Sequence, residues 1–265
     1  MARWALILGA SSGFGAATAR ELAKNGFNIC GVHLDRPTTM PDVDKVKADI
    51  EAAGREALYF NVNAANAEKR AQVLDELVSR LGIEGDSRKG SVEVMMHSLA
   101  FGTLKPFIAD NPDEAITQQN MDMTLDVMAH SLVYWAQDLI RRNLMLAGGH
   151  IFAMTSAGAR RVFSTYGAVS AAKAALESHM RQLALELGPR GISVNCIEAG
   201  VTDTPALRKI PGNERMANRA LELNPGGRLT MPQDIARTIA ALSRPDLAWI
   251  TGDVIRVDGG EAIAS

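Results

Sequence analysis

The chain has 265 residues, 47% of them apolar and 22% charged, with a net charge of −2. That length suits one large α/β domain or two small ones around a sizeable core. A near-neutral balance without a run of one sign excludes the footprint of a nucleic-acid binder, and no stretch approaches the roughly 20 apolar residues of a membrane span.

The opening "MARWALILGASSGFG" has an arginine and a short apolar run, as a secretory leader has. The run stops in a glycine-rich turn with no cleavage boundary after it, so it reads as a buried first strand. From there apolar runs alternate with helical patterns. "RWALILGA" is a strand, "GAATARELAKNG" a helix ending at Gly26, "FNICGVHL" a second strand, and "MPDVDKVKADIEAAG" a helix ending at Gly54. "EALYFNV" is a third strand, "AEKRAQVLDELVSRLG" a helix, and "VEVMMHSLA" a fourth strand. A long helical stretch covers about 113–146, and "GHIFAMTSA" gives strand five. A helix carrying Tyr166 and Lys173 follows, then "ISVNCIEAG", a polar helical insert, a helix near 233–243, and a last strand in "DVIRVDGG". Strands alternating with crossover helices predict a single doubly wound α/β domain of Rossmann type, a parallel seven-stranded sheet with helices on both faces.

Cys30 and Cys196 both lie in apolar strand patterns and are expected as reduced core thiols, which fits a cytoplasmic protein. His33, His97, His130, His150 and His179 include no pair at metal-ligand spacing, so no metal is expected.

"LGASSGFGAATAR" sets Gly9, Gly13 and Gly15 between the first strand and the first helix. A backbone that turns sharply, approaches a pyrophosphate without β-carbons and offers helix N-terminal N–H groups needs this kind of loop. Ser11 and Ser12 add hydroxyls, and Phe14 lies between the last two glycines, so Gly9, Ser11, Ser12, Gly13, Phe14 and Gly15 form the expected dinucleotide cradle. The spacing is GxxxGxG. After strand two, "GVHLDRPTT" carries two opposed signals. Asp35 can accept from an adenosine ribose hydroxyl, which favours NADH. Arg36 with His33, Thr38 and Thr39 can hold an extra phosphate, which favours NADPH. NADPH is the expected cofactor, with NADH as the alternative. Asn61 and Val62, ending strand three, are expected at an adenine edge.

"STYGAVSAAKAALE" places Tyr166 seven residues before Lys173. A cation near a phenol favours the phenolate and suits the pair to moving a proton. Four residues of helix advance about 400° and seven about 700°, so either spacing keeps phenol and ammonium on one face. The longer one moves the hydroxyl by about three rises, roughly 4.5 Å.

The glycine loop, Tyr166, Lys173 and the closing "VDGG" together resemble the short-chain dehydrogenase/reductase family over essentially the whole chain. The resemblance implies a Ser/Tyr/Lys catalytic set working against a nicotinamide, with Ser156 as the serine, Tyr166 moving the proton and Lys173 binding the nicotinamide ribose. Val169 occupies the tyrosine position of the common YxxxK pattern, and the Tyr-x6-Lys spacing is that of the family's enoyl-acyl-carrier-protein reductases. "HSLAFG" (His97, Ser98, Leu99, Ala100) looks like their HSIAF and replaces the Asn-Asn-Ala-Gly of ketone reducers. Met128 stands where ketone reducers have a relay asparagine, and Ala199 where they have proline. Two departures are that Ser156 occupies the site of a second tyrosine common in enoyl reductases, and that the ordinary glycine loop is kept. By the same resemblance Ser98, Leu99 and Ala100 line the cofactor, as do Gly200, Val201, Thr202 and Thr204 of "NCIEAGVTDT".

The family implies an enoyl-thioester reductase of fatty acid synthesis, with a 3-oxoacyl-thioester reductase or hydroxysteroid or alcohol dehydrogenase as the rival. It also implies a cytoplasmic homotetramer or homodimer, paired through "MDMTLDVMAHSLVYWAQDLI" and the outer face of the Tyr166 helix. The insert at about 203–227 is expected to cover the substrate, with Ala206, Leu207, Ile210 and Met216 lining an acyl tunnel. Arg208, Lys209, Arg215 and Arg219 form a basic cluster that can meet an acidic acyl carrier protein.

Overall fold

The computed structural model describes residues 1–83 and 87–264. Seven strands, β1 (Ala2–Leu8), β2 (Asn28–His33), β3 (Ala57–Asn61), β4 (Gly90–His97), β5 (His150–Thr155), β6 (Ser193–Ala199) and β7 (Val254–Val257), form one sheet in the order β3-β2-β1-β4-β5-β6-β7. Every neighbouring pair is parallel. The expected single doubly wound domain is therefore the observed one.

Alternation along the strands builds both faces. Leu6, Leu8, Met95, Ala153 and Cys196 face one layer, packed by α3 (Ala67–Leu81), α5 (Ser131–Arg141) and α6 (Gly167–Leu187). Ala5, Ile7, Val94, Met96, Phe152 and Ile197 face the other, packed by α1 (Gly13–Lys24), α2 (Met40–Ala52) and α8 (Pro232–Leu242). With both faces covered, the strands read as nearly continuous apolar runs rather than strict alternation. The cysteines Cys30 and Cys196 are free and buried.

The helical stretch expected over 113–146 is broken. Pro112 opens a 3-10 turn, and Thr117 caps the short helix α4 (Gln118–Leu125). A π-turn over Asp126–His130 follows, then α5. That helix ends at Arg141, where Asn143 turns with φ +54 and the Leu144 amide reaches back to the Leu139 carbonyl. A π-turn commonly marks a functional position, and this one lies beside the end of β4. The insert holds α7 (Asn213–Leu223), of which Ala220 is the one buried residue.

Trp135 of α5 is fully buried, and its indole N–H donates to the Ala64 carbonyl at 2.8 Å, tying α5 to the loop after β3. Trp135→Phe strands that carbonyl and opens a void. The expected cost is about 1–3 kcal/mol, and each kcal/mol lowers Tm by about 2–4 °C in a domain of this size. An unchanged melting curve would show that this contact contributes nothing.

Candidate functional site

The sheet order reverses between β1 and β4, which opens a crevice at the carboxyl ends of the strands. The glycine loop lies there. Gly9 has φ +88, and a β-carbon on it would stand 2.4 Å from the Ser98 carbonyl oxygen. One on Gly15 would meet the Gly9 carbonyl oxygen at 2.0 Å. Neither neighbour is a flexible side-chain end, so only glycine fits at either position. The loop is held from below by Gly9 and Ala10 amides donating to the Val32 carbonyl, and Ser98 donates to Leu8 across the switch point. Ser12 stands at the N-cap of α1 without a side-chain cap bond, and no acidic residue occupies the first turn. Backbone N–H groups and a positive dipole end are thus presented to an anion with no carboxylate in competition, which fits a pyrophosphate. The methyl of Thr204 lies against Gly13, bringing the start of the insert onto the same cradle.

At the end of β2, the Asp35 carboxylate takes a hydrogen bond from Thr39 at 2.8 Å and lies 3.0 Å from His33 Nδ1. Burial works against its ionisation, but bonds from Ser11, Thr39 and His33 outweigh that and hold the carboxyl below the usual range. Arg36 is exposed. The Asn61 amide is committed to the backbone of Asp35, accepting from its N–H at 2.9 Å and donating to its carbonyl at 3.0 Å. The Val62 amide donates to the His33 carbonyl. Asn61 therefore shapes the Asp35 loop, a role that its place at a strand end did not reveal.

Tyr166 is the N-cap of α6 rather than a residue within the helix. The turn that delivers it is strained: Thr165 has φ +60, a region β-branched residues avoid, and its buried hydroxyl has no partner among the described residues. The Phe163 ring meets Tyr166 edge-on at 6.0 Å between centroids. Gly158 leaves room for the Tyr166 ring, since a β-carbon there would stand 2.7 Å from it. Gly167 likewise accommodates Phe107. Ser156 Oγ accepts from the Gly158 N–H at 3.2 Å, and its hydroxyl lies near enough to Tyr166 to favour the phenolate. Burial raises the phenol's pKa, and the Ser156 bond offsets only part of the rise.

Lys173 is buried, and its ammonium donates to the Met154 carbonyl at 2.6 Å. Burial depresses its pKa to about 8, against the pull of Cys196 and Glu177. The expected lowering of the phenol pKa by Lys173 is not what the protein shows. The lysine points to the strand, and burial sets the phenol. Sequence reasoning passed over Glu177, which is buried and accepts from Thr155 Oγ1 at 2.7 Å. Its signal was available as a Lys–Glu pair at i, i+4 on one helix. Val169, at the alternative tyrosine position, is buried, and its methyl would crowd any β-carbon on Gly102 at 2.7 Å. Met128 packs there too, in place of a relay amide.

At the end of β6, the Val201 amide donates to the Glu261 carboxylate at 2.9 Å, and Thr202 Oγ1 donates to the Gly200 carbonyl at 2.9 Å. The Thr204 hydroxyl accepts from the Leu207 amide. Leu99 is partly buried against the core, and Ala100 is exposed. In the insert, Arg208 is paired with Asp203 and Arg219 with Glu222, so half of the expected basic cluster is already neutralised.

A family model described as enoyl-(acyl carrier protein) reductase matches residues 9–261. The chain belongs to the short-chain dehydrogenase/reductase family. It is an NAD(P)-dependent oxidoreductase of that family, close to the enoyl-acyl-carrier-protein reductases. Among its relatives, 1-cyclohexenylcarbonyl-CoA reductase of Streptomyces collinus is 29% identical over 262 residues, 98% of this chain and 87% of that one. Versicolorin reductase 1 of Dothistroma septosporum is 25% identical, covering 97% and 94%. The solved structure of the NADH-dependent enoyl-[acyl-carrier-protein] reductase from Aquifex aeolicus VF5 superposes with a TM-score of 0.83 at 23% identity, over 99% of this chain and 97% of that one, which supports the fold.

The strain at Thr165 is testable. Thr165→Asn places a residue tolerant of that conformation before Tyr166 and is expected to stabilise the fold by about 1 kcal/mol. Denaturant midpoints of the two proteins decide it, and a destabilised variant would show that the threonine is not strained.

Proposed function

We propose that this reductase uses NAD(P)H to saturate the carbon–carbon double bond of enoyl thioesters. The observation that carries the reading is the place of the phenol. Tyr166 opens α6 two turns before Lys173, beside Ser156, while Val169 at the ketone reducers' position is buried in the core. In this reaction negative charge develops on the thioester oxygen, two carbons beyond the carbon that receives hydride. A donor set back along the helix meets charge where it appears.

The glycine loop and the N-terminus of α1 would hold the pyrophosphate, Asp35 and Arg36 would face the adenosine ribose, and Val201, Thr202 and Thr204 would flank the nicotinamide half. Reduced nicotinamide, when bound there, supplies the hydride. Tyr166, kept protonated by its raised pKa and aligned by Ser156, gives its proton to the thioester oxygen. The resulting enol then becomes the saturated thioester. Lys173 orients the ribose. Residues 203–227 would cover the acyl chain, an arrangement supported by the light packing of α7. Lys209 and Arg215 remain for an acyl carrier protein to meet. A homodimer or homotetramer pairing through α4–α6, a place in fatty acid synthesis and a cytoplasmic location complete the reading.

Support also comes from the Streptomyces relative, whose name describes a ring alkene conjugated to a thioester carbonyl. One feature favours the rival reading of carbonyl reduction: Ser156 completes a Ser/Tyr/Lys set at the position where many enoyl reductases carry a second tyrosine. Crotonyl and acetoacetyl thioesters, assayed side by side with each nicotinamide, decide between them. Preferential loss of the crotonyl alkene is expected, and oxidation of NAD(P)H by acetoacetyl thioester alone would overturn the proposal. Tyr166→Phe is expected to leave cofactor affinity intact and lower kcat by about 10² or more, whereas Lys173→Met damages both. Activity of Tyr166→Phe within a few-fold of the parent would assign the proton to another group.

Cofactor choice turns on Asp35 and Arg36. NADPH is the expectation from the sequence, yet a carboxylate flanked by Thr39 and His33 and held below the usual range favours the ribose diol of NADH. Asp35→Ser is expected to raise kcat/KM for NADPH relative to NADH by about tenfold, the scale of one lost charge repulsion. An unchanged ratio would remove Asp35 from the choice.

A further inference from the structure

Beneath α6 a row of side chains crosses the sheet where the strands end. His97 of β4 is in register with Ala153 of β5, and Ala153 with Cys196 of β6, so the three share one face. Lys173 of α6 reaches the β5 part of that row, its ammonium bonded to the carbonyl of Met154, the residue after Ala153. His97 is 0% exposed. Its Nε2 lies 2.8 Å from Ser131 Oγ, and that hydroxyl donates its single proton to the Val127 carbonyl at 2.8 Å, inside the π-turn. Ser131 can therefore only accept from the imidazole, which puts the ring proton on Nε2. Nδ1 is left as a bare lone pair, fully buried and without a partner among the described residues.

We propose that His97 is a positioning residue for Lys173, with Nδ1 accepting a hydrogen bond from the ammonium when the lysine turns from Met154 toward bound cofactor. The inference rests on the functional reading of Lys173 given above. It assigns a purpose to the π-turn as well, because the turn sets the Val127 carbonyl that fixes Ser131 and, through it, the tautomer. The ring stays neutral throughout. Burial and then the charge of Lys173 hold its pKa down at about 3. The other groups that face the lysine are Glu177 of α6, whose carboxylate is held by Thr155, and Cys196 of β6, whose thiol burial pushes up to about 12. Met154 of β5 offers only its carbonyl. An acceptor at Nδ1 stabilises the protonated lysine, so removing it lowers the lysine pKa and moves the alkaline fall in activity to lower pH.

Two variants separate this from a filling role. His97→Gln keeps a polar atom for Ser131 but none where Nδ1 stands, and His97→Asn keeps an acceptor at the Nδ1 position. In the full-length enzyme saturated with NAD(P)H, nitrogen NMR follows the titration of Lys173 Nζ and the tautomer of His97, alongside kcat against pH. His97→Gln is expected to lower the lysine pKa by about one unit, and kcat at alkaline pH by about tenfold, while His97→Asn stays within about twofold of the parent. Equal lysine titrations in the two variants, or a proton found on Nδ1 in the parent, would overturn the proposal. If the parent reduced no thioester, the functional reading would fail, while the NMR titration would still decide the role of His97.

Discussion

The molecule depends on two backbone contacts that tolerate no β-carbon. Gly15 lies against the Gly9 carbonyl, and Gly9 lies against the Ser98 carbonyl. The first folds the loop tightly enough to aim α1 at the crevice. The second presses the loop onto the strand across the switch point, so the floor of the crevice is backbone rather than side chain. Everything that a dinucleotide needs follows from these contacts: a short approach, exposed N–H groups and a helix dipole without a competing carboxylate. Ser11 extends the effect toward the end of β2, where it favours the ionised Asp35 carboxylate.

Much of this was legible because it is local. A buried strand, a glycine loop and a helix succeed one another within the first 24 residues, and their order alone specifies the crevice. The strand–helix alternation gave the whole sheet for the same reason, since each βαβ unit has few ways to close. What could not be read lies in contacts between distant segments. Asn61 looked like a residue free to meet a ligand, yet its amide is used by the Asp35 backbone 26 positions earlier in the chain. The helix expected over 113–146 is periodic throughout, and the π-turn over Asp126–His130 leaves no mark in that periodicity. The conformation of Thr165 is hidden too, because threonine is a poor residue for a left-handed turn and nothing in its neighbourhood announces one.

Charge is distributed through the site in graded steps. Lys173, Glu177, Thr155, Cys196, Ser131 and His97 together make a buried polar patch under a helix whose other inward residues are apolar. Such a patch is stable only when its members satisfy one another, and most of them do. The exceptions are informative. Among the described residues the Lys173 ammonium, which can donate three bonds, donates to the Met154 carbonyl, and His97 keeps an unused lone pair. A lysine that turned from the Met154 carbonyl toward His97, as proposed above, would use both.

The direction of the proposed chemistry follows from the same accounting. An enzyme that oxidises alcohols needs a phenolate ready to take a proton, and a cation bonded close to the phenol would provide it. Here the ammonium is turned to a strand carbonyl while burial holds the phenol above its ordinary pKa. A resting tyrosine that keeps its proton is a general acid, and general acids serve reduction. Ser156 then aligns the hydroxyl without drawing off its proton, because Ser156 accepts from the Gly158 N–H and its own hydrogen is free to point at the phenol oxygen. The protonation state of the donor therefore favours reduction over oxidation, and the distance of Tyr166 along the helix favours an enoyl thioester over a ketone as what is reduced.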